Sequence, residues 1–430
     1  MLDPVWRLAR RARNIPRRLA LVGMRLPPLR RLLRFLLDLP FDPYDSGFRA
    51  DPYPFYHRLR ERAPVYRSPF GVWFVTRYAD AVALLTDPRF NHPDHRAQAQ
   101  HPQAGGALAL VRSNMMITRN PPDQTRLRRV VADVFTASFV ADLRPRIQAA
   151  VDLLLDRVEK ARRMDAVTDF AAKLPVAVIA GAFGIPSDDA ARCQTWARPM
   201  SVLFDLAPTR AELAGAEAAV GRIAEYFRGL IGERRKWPGA DLISALVQAQ
   251  QSEGCLDDDE LLANCILLFI AGYETTVAFV GTTILTLLRH PAAWKALGSD
   301  PGLLQSGVDE LLRYESPIQT FGRQAQEDVV LGEKRIRRGQ TVLVLVGAVN
   351  RDPAKFPDPD RFDLARRNNH HLAFGHGIHA CLGQGLSRLE GQVALETLVR
   401  RFPGLRLGDR PPVWRAEFAI RALDSLPVAW

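Results

Sequence analysis

The residues best suited to chemistry lie in one glycine-rich loop, 374–383, which reads Phe-Gly-His-Gly-Ile-His-Ala-Cys-Leu-Gly. Its glycines suit positions where the backbone turns tightly or approaches another group closely. Its one cysteine, Cys381, precedes a helical pattern, so we expect the helix N–H groups and dipole to stabilise the thiolate and lower its pKa. One thiolate with no second cysteine nearby favours an axial haem ligand over a zinc site. The simpler alternative is a buried structural cysteine in a glycine-rich turn.

A second reactive group interrupts an apolar helical stretch, Leu261–Leu288, in which Glu274 is the one charged residue. Thr275 follows it, and Gly272, which weakens a helix by about 1 kcal/mol relative to alanine, must be there for a reason. A carboxylate beside a hydroxyl that both donates and accepts can relay protons as a general acid. The alternative is a threonine bonded to its i−4 carbonyl and a glutamate in a structural ion pair.

The loop, in the form F-G-x-G-x-H-x-C-L-G, resembles the haem-binding signature of the cytochrome P450 monooxygenases. The resemblance implies a haem b whose iron is ligated by Cys381, with Phe374 and Gly375 as further cofactor-binding residues of the loop.

Residues 271–275 resemble the same family's A/G-G-x-D/E-T pattern, which marks the helix crossing the distal haem face. The resemblance implies that Ala271 and Gly272 contact the cofactor. It assigns Thr275 to hydrogen-bonding dioxygen and Glu274 to relaying the protons that drive O–O scission.

A haem has two propionates, which buried cations must satisfy. The resemblance proposes Arg128, Arg323 and His379 for this purpose. The family often has histidine at the position of Gln124, which can donate a neutral hydrogen bond but supplies no charge. Contact between Gln124 and a propionate is therefore not expected to match the family's.

Glu310 and Arg313, three residues apart, lie on one helix face and can form an ion pair. The segment 357–362 resembles the second half of the family's buried Glu-Arg-Arg triad. This makes Arg361 the expected third member, with the purpose of holding the cysteine loop in place.

Helical periodicity dominates the elements that must position these residues. A strand pair is expected at 65–66 and 72–75, helices follow between 121 and 246, and a strand is expected at 341–346. The apolar helix fits a protein core better than a membrane, where Glu274 would cost about 2.5–3.5 kcal/mol. No linker divides residues 40–430, which predicts one domain. The resemblance covers roughly 42–430 and implies the mainly α P450 fold, a triangular prism of helices with small β-sheets.

Residues 91–117 show no periodicity and are expected to form a long loop. Its histidines His92, His95 and His101 could suggest a metal. Without carboxylate or cysteine neighbours, solvent-facing loop residues are the favoured interpretation.

Residues 1–39 form a basic extension with ten arginines and two aspartates, a net +8 of the chain's +11. Leucines spaced beside the arginines indicate an amphipathic helix, and no apolar run reaches the ~18 residues of a membrane span. A helix lying on an anionic membrane surface and a disordered basic leader are both open.

Composition narrows the class of protein further. Four widely spaced cysteines in 430 residues indicate no disulfide framework and a reducing, cytoplasmic setting. Because the positive charge is concentrated at the N-terminus and no nucleic-acid motif is present, we expect no nucleic-acid partner.

The resemblance implies a monooxygenase that inserts one atom of O₂ into a small apolar organic substrate. The chain has no flavin or nicotinamide fingerprint, so electrons would come from a ferredoxin-type donor with its reductase, docking near Arg128, Arg129 and Arg388. The rivals are an H₂O₂-dependent peroxygenase and a non-catalytic haem-binding sensor. Glu274 and Thr275 speak against both.

Overall fold

Helices form most of the protein in this computed structural model, and short strands form small sheets. The structure describes residues 42, 45–95, 106–200, 209–254 and 256–430. The helices are α1 Ser46–Ala50, α2 Tyr53–Arg62, α3 Tyr78–Thr86, α4 Ala107–Asn114, α5 Asp123–Val134, α6 Ala137–Asp142, α7 Arg144–Glu159, α8 Leu174–Ala182, α9 Ser187–Ala197, α10 Arg210–Lys236, α11 Leu242–Glu253, α12 Asp258–Arg289, α13 Pro291–Ser299, α14 Leu304–Tyr314, α15 Val346–Val349 and α16 Gln384–Arg401. Single helical turns of other types are Met116–Thr118, Ala166–Ala171, Pro301–Leu303 and Gly377–His379.

The strands are short. They are β1 Val65–Arg67, β2 Trp73–Val75, β3 Phe90–Asn91, β4 Arg163–Asp165, β5 Thr320–Ala325, β6 Val329–Leu331, β7 Lys334–Ile336, β8 Thr341–Leu345, β9 Arg406–Leu407, β10 Val413–Trp414, β11 Leu423–Ser425 and β12 Pro427–Ala429. This mainly α architecture with small sheets confirms the fold class expected from the sequence, including the strand pair β1–β2 and strand β8.

The largest sheet joins distant parts of the chain in the order β1-β2-β8-β5-β3. β2 runs parallel to β8, whereas β5 is antiparallel to both β8 and β3. In the β3–β5 pair, Asn91 lies opposite Gln324. The residue after Asn91 is therefore brought level with Arg323, one of the predicted haem-binding residues.

The long helix α12 runs through the main hydrophobic core. It starts with a capping box, in which Asp257 accepts from the Glu260 backbone N–H and the Glu260 carboxylate accepts from that of Asp257, at 2.7 and 3.2 Å. Glu260 also pairs with Arg126 of α5 at 2.6 Å. Among the described residues, α12 is the one helix long and apolar enough to cross a membrane, but 78% of its apolar window is buried inside the protein.

The expectation of a structureless loop at 91–117 is wrong for its second half. Helix α4 occupies Ala107–Asn114, and a 3₁₀ turn follows at Met116–Thr118. Its first backbone N–H groups, those of Ala107 and Leu108, donate to the Glu217 carboxylate of α10 at 2.5 and 3.2 Å. A distant side chain thus provides the N-terminal cap, which no local pattern could indicate. His101 lies outside the described residues, as do the predictions for 1–39.

The structure confirms two members of the expected Glu-Arg-Arg triad and replaces the third. Arg313 donates to both carboxylate oxygens of the fully buried Glu310, at 2.7 and 2.8 Å. The third member is Arg366, whose Nε lies 3.1 Å from both Glu310 oxygens. The Arg361 side chain is 71% exposed and lies near Asp363, so its assignment was wrong. Only its backbone takes part, because its carbonyl accepts from Arg366 at 2.8 Å.

Candidate active site

The cysteine loop is shaped by its first two glycines. Gly375 and Gly377 have φ of +71° and +72°, a region that favours glycine. A Cβ on Gly377 would lie 2.5 Å from the Leu85 carbonyl of α3, so a larger residue has no room there. The expectation of a tight turn does not extend to Gly383, whose φ is −79°. The loop closes on itself where the Cys381 N–H donates to the Phe374 carbonyl at 2.8 Å.

Cys381 lies shortly before α16, as predicted, but its thiol is not activated as expected. Burial raises its pKa, against the opposing effects of the Gly383 N–H, Arg128 and Arg388. Part of the cysteine surface is nevertheless accessible, although protein surrounds it on nearly all sides. Such a thiol lines an interior space, and a metal ion would have to displace its proton to bind.

Helix α5 holds the cysteine loop through two hydrogen bonds to its backbone. The Gln124 amide donates to the Ile378 carbonyl and Arg128 to the Ala380 carbonyl, each at 2.7 Å. The Gln124 donor is thereby committed to the loop itself. Among the described residues, no carboxylate forms an ion pair with Arg128, and burial lowers the pKa of its guanidinium.

A group of donors adjoins the loop, and one of them was missed by the sequence interpretation. The His92 ring lies edge-on to that of His379, with centroids 4.7 Å apart, and its Nε2 lies 3.3 Å from Arg323 Nη1. His92 is half-buried and does not face solvent as expected. The β3–β5 register places His92 beside Arg323. Nothing in the local sequence distinguishes His92 from its neighbours.

The side chains of this group are all cations or hydrogen-bond donors. Burial, reinforced by the nearby cations, lowers the pKa of His92 to about 2 and that of His379 to about 3. Burial also lowers the pKa of Arg323 to about 10. Within the part of the chain that the structure describes, no carboxylate pairs with Arg323 or Arg128, and His379 Nε2 is buried without a partner. These donors fit the two carboxylates of a haem.

A hydrogen-bonded network supports Phe374 at the start of the loop. Arg388 of α16 lies over the Phe374 ring at 4.6 Å and donates to Asp309 at 2.8 Å. The buried His371 ring lies 3.2 Å from the same carboxylate. Burial acts to raise the pKa of Asp309, but the hydrogen bonds from His371 and Arg388 lower it overall. The hydrogen bonds from His371 and Arg388 therefore keep Asp309 ionised and the Phe374 side chain fixed.

One face of α12 borders an interior space. Between Glu260 and Leu287, the residues that are not buried are Leu268, Ala271, Gly272 and Thr275. Their spacing of three and four residues puts them on one face of the helix. Gly272 also has a packing reason, because a Cβ there would lie 3.3 Å from Ile179 of α8.

Glu274 and Thr275 point in different directions. Thr275 Oγ1 donates to the Ala271 carbonyl at 2.7 Å. The Glu274 side chain is 2% exposed and pairs with Arg415 at 2.6 Å. Both contacts of the alternative interpretation, the i−4 bond and the ion pair, are thus present. Arg415 is a second residue that the sequence interpretation missed, since it lies 141 positions away. Its Nε lies 3.4 Å from the half-exposed Asp424.

The residues of the site indicate a class of protein. A lone interior thiol next to donors that have no carboxylate partner among the described residues suits a metal-bearing group with carboxylates, which is the haem-thiolate arrangement. The family model for cytochrome P450 matches residues 54–300 and 302–413. The chain belongs to the cytochrome P450 family.

Individual P450 relatives align with almost the whole length of this chain. It is 38% identical over 392 residues to "Biotin biosynthesis cytochrome P450" of Bacillus subtilis (strain 168), covering 90% of this chain and 98% of that protein. It is 40% identical over 395 residues to "Cytochrome P450 monooxygenase PikC" of Streptomyces venezuelae, covering 90% and 92%. The structure of P450BioI in complex with hexadec-9Z-enoic acid ligated acyl carrier protein matches with a TM-score of 0.84 and 38% identity, over 90% of this chain and 99% of that one.

The protein is therefore a P450 monooxygenase, an oxidoreductase that uses a haem to incorporate one atom of O₂ into a small organic substrate. The family uses a separate redox partner as electron source. The peroxygenase and sensor alternatives are not favoured.

Proposed function

We propose that the cofactor is haem b, held by Cys381 as iron ligand within the loop that contains Phe374 and Gly375. The observation that carries this proposal is the accessible thiol of Cys381 on an interior wall, next to donors that have no carboxylate partner among the described residues. When bound, the haem supplies reductive activation of O₂. The polypeptide binds and orients it and excludes water.

The propionates are assigned to Arg128, Arg323 and His379. Arg323 is a buried cation and Arg128 a half-buried one, both without an acidic partner in the described ranges, and His379 has an unpartnered buried nitrogen. Losing a charged partner should cost about 1–3 kcal/mol. Haem retention should therefore fall more in Arg323→Ala than in Gln124→Ala, because Gln124 already donates to the loop. Equal haem loss in these two variants would contradict the assignment.

On helix α12, we assign Ala271 and Gly272 as residues that contact the haem. We assign Thr275 as the proton donor at the O₂ site. Thr275 can rotate away from the Ala271 carbonyl to donate towards the interior space that it borders. Glu274 would bring protons from the side of Arg415 and Asp424, the latter being 44% exposed. In this arrangement Thr275 holds a proton at the reaction site and Glu274 replaces it from solvent.

The electron donor is proposed to be a ferredoxin-type protein with its reductase. Arg388 and the exposed Arg129 lie on elements next to the cysteine loop and suit an acidic partner.

The substrate is proposed to be a small apolar molecule. The stripe of Leu268 and Ala271 offers it an apolar wall, and the relatives' names include a polyketide biosynthesis enzyme and a fatty-acyl complex.

For the whole chain, we propose a single haem-thiolate domain from residue 40 to 430 in the cytoplasm. Residues 1–39 would form a basic amphipathic extension that can lie on an anionic membrane surface. The charge of +8 in that stretch supports this assignment.

The ligand assignment is tested by replacing the cysteine. The wild-type protein, reduced under carbon monoxide, should show the strongly red-shifted Soret band that thiolate ligation produces. Cys381→His should lose that band while keeping a haem spectrum of another kind. A variant that keeps the red-shifted band would show that another group ligates the iron. With the wild-type protein, a compound screen for spin-state shifts of the Soret band would then identify the substrate class.

A further inference from the structure

The position of His92 is determined by contacts from two separate elements. The β3–β5 register sets Asn91 opposite Gln324, which brings His92 alongside Arg323. The Asn120 side chain then clamps the His92 backbone, accepting from its N–H and donating to its carbonyl, both at 3.0 Å. A residue held by a strand register and by two side-chain bonds is preorganised, which a solvent-facing loop residue would not need.

The contacts of the His92 ring determine which nitrogen carries its proton. Arg323 has donors only, so at 3.3 Å from Nη1 the His92 Nε2 must act as the acceptor. The proton of the neutral ring is then on Nδ1, which remains a donor. No described residue accepts a hydrogen bond from it. The edge of the ring meets His379, whose own Nε2 is buried and unpartnered.

The groups facing His92 are all cationic or neutral donors. Arg323, His379, His95 and Arg112 each act on its charge state, and each disfavours a second proton on the ring. Arg323 also donates to the Gly322 carbonyl at 2.8 Å, but His92 Nδ1–H and the buried His379 Nε2 have no hydrogen-bond partner among the described residues. A buried polar group is expensive to leave without a hydrogen bond unless a ligand supplies one. The missing partner must be an anion with oxygen acceptors and must lie beside Arg323 and His379.

We propose that His92 is a further cofactor-binding residue, whose Nδ1–H donates to a propionate carboxylate of the haem alongside Arg323 and His379. This inference rests on the proposed haem site. It gives the residue that follows β3 a direct part in cofactor retention. Asn120 is a positioning residue, because it holds the His92 backbone and does not itself face the cofactor.

The test compares haem retention in single variants of the ferric holoenzyme. His92→Leu removes the donor, His92→Gln keeps an N–H donor, and His95→Leu is the matched control in the same segment, where its ring lies 3.4 Å from Arg112. The rate of haem transfer to excess apomyoglobin is measured for each variant. A hydrogen bond to a charged group, worth about 1.5–3 kcal/mol, corresponds to roughly a tenfold to hundredfold faster loss.

We expect this acceleration in His92→Leu, a rate closer to wild type in His92→Gln, and an unchanged rate in His95→Leu. The propionate bending mode in the resonance Raman spectrum should shift in His92→Leu and not in His95→Leu. Circular dichroism identifies any variant that fails to fold, and His92→Gln then carries the comparison through its propionate mode.

Three results would overturn the inference. They are an unchanged rate and propionate mode in His92→Leu, equal acceleration in His95→Leu, and a His92→Gln variant that loses haem as fast as His92→Leu. Failure of this inference is distinguishable from failure of the proposed function. In the first case wild-type protein still shows the red-shifted Soret band that depends on Cys381, and in the second it does not.

Discussion

Removing Arg415 should destabilise the protein far more than removing an ordinary surface arginine. Its guanidinium lies 2.6 Å from the Glu274 carboxylate, and the two side chains are only 9% and 2% exposed. Glu274 Oε1 is buried and makes no hydrogen bond, so Arg415 supplies most of what stabilises this charge. Burial acts to lower the pKa of Arg415, but the Glu274 carboxylate raises it overall, as expected for a mutually dependent pair.

The size of the stability loss depends on which charge stays buried without a partner after the substitution. Arg415→Met leaves a buried carboxylate without its partner, a change that typically costs about 3–5 kcal/mol. Arg198→Met is the matched control, because Arg198 pairs with Asp424 at 3.4 Å but is 67% exposed. An exposed pair of that kind contributes about 0.2–1 kcal/mol. The double variant Arg415→Met with Glu274→Gln removes both charges and should recover much of the loss.

The assay is urea unfolding of the holoenzyme, followed by circular dichroism for the wild type, both single variants and the double variant. A double-mutant cycle then isolates the interaction between Arg415 and Glu274. We expect a coupling of at least about 2 kcal/mol between them. The reasoning is refuted if Arg415→Met destabilises no more than Arg198→Met, or if the cycle shows no coupling.

Three further predictions test other parts of the molecule. Thr275→Ala should leave haem and substrate binding intact but divert electrons into hydrogen peroxide, since the proton donor is lost; unchanged product per electron consumed would exclude Thr275 from the mechanism. Arg366→Ala should lower the free energy of unfolding by about 1–3 kcal/mol, because Glu310 loses a buried partner. Arg361→Ala should change it by less than about 0.5 kcal/mol. The reverse order would restore Arg361 as the third member of the triad. Deleting residues 1–39 should keep the haem spectrum and turnover while abolishing co-sedimentation with anionic liposomes, to which each basic residue contributes about 1 kcal/mol at low salt. Full-length protein that stays in the supernatant would favour a disordered leader.

Much of the site could be predicted from the sequence because its determinants are local. The cysteine loop depends on glycines within a few residues of Cys381, and their positive φ values are a local backbone requirement. The same holds for α12, whose capping box and apolar run lie in one continuous stretch. Short-range spacing was also sufficient for the Glu310–Arg313 pair on one helix turn.

Most of the errors concern contacts between residues that are distant in the chain. Helix α4 was missed because Glu217 caps it from another helix. Arg366 rather than Arg361 completes the ion cluster because the backbone turns between them, which spacing alone does not reveal.

The sequence by itself determined the fold class, the course of the cysteine loop and the adjacency of Glu274 and Thr275 on α12, since each depends on the order of neighbouring residues. Only the tertiary structure decided what surrounds them. His92 reaches Arg323 through a strand register, and Glu274 reaches Arg415 across 141 positions. The physical reason is that charge and burial depend on distance in space. A local pattern states which side chains are able to pair, and the packed protein selects the partner.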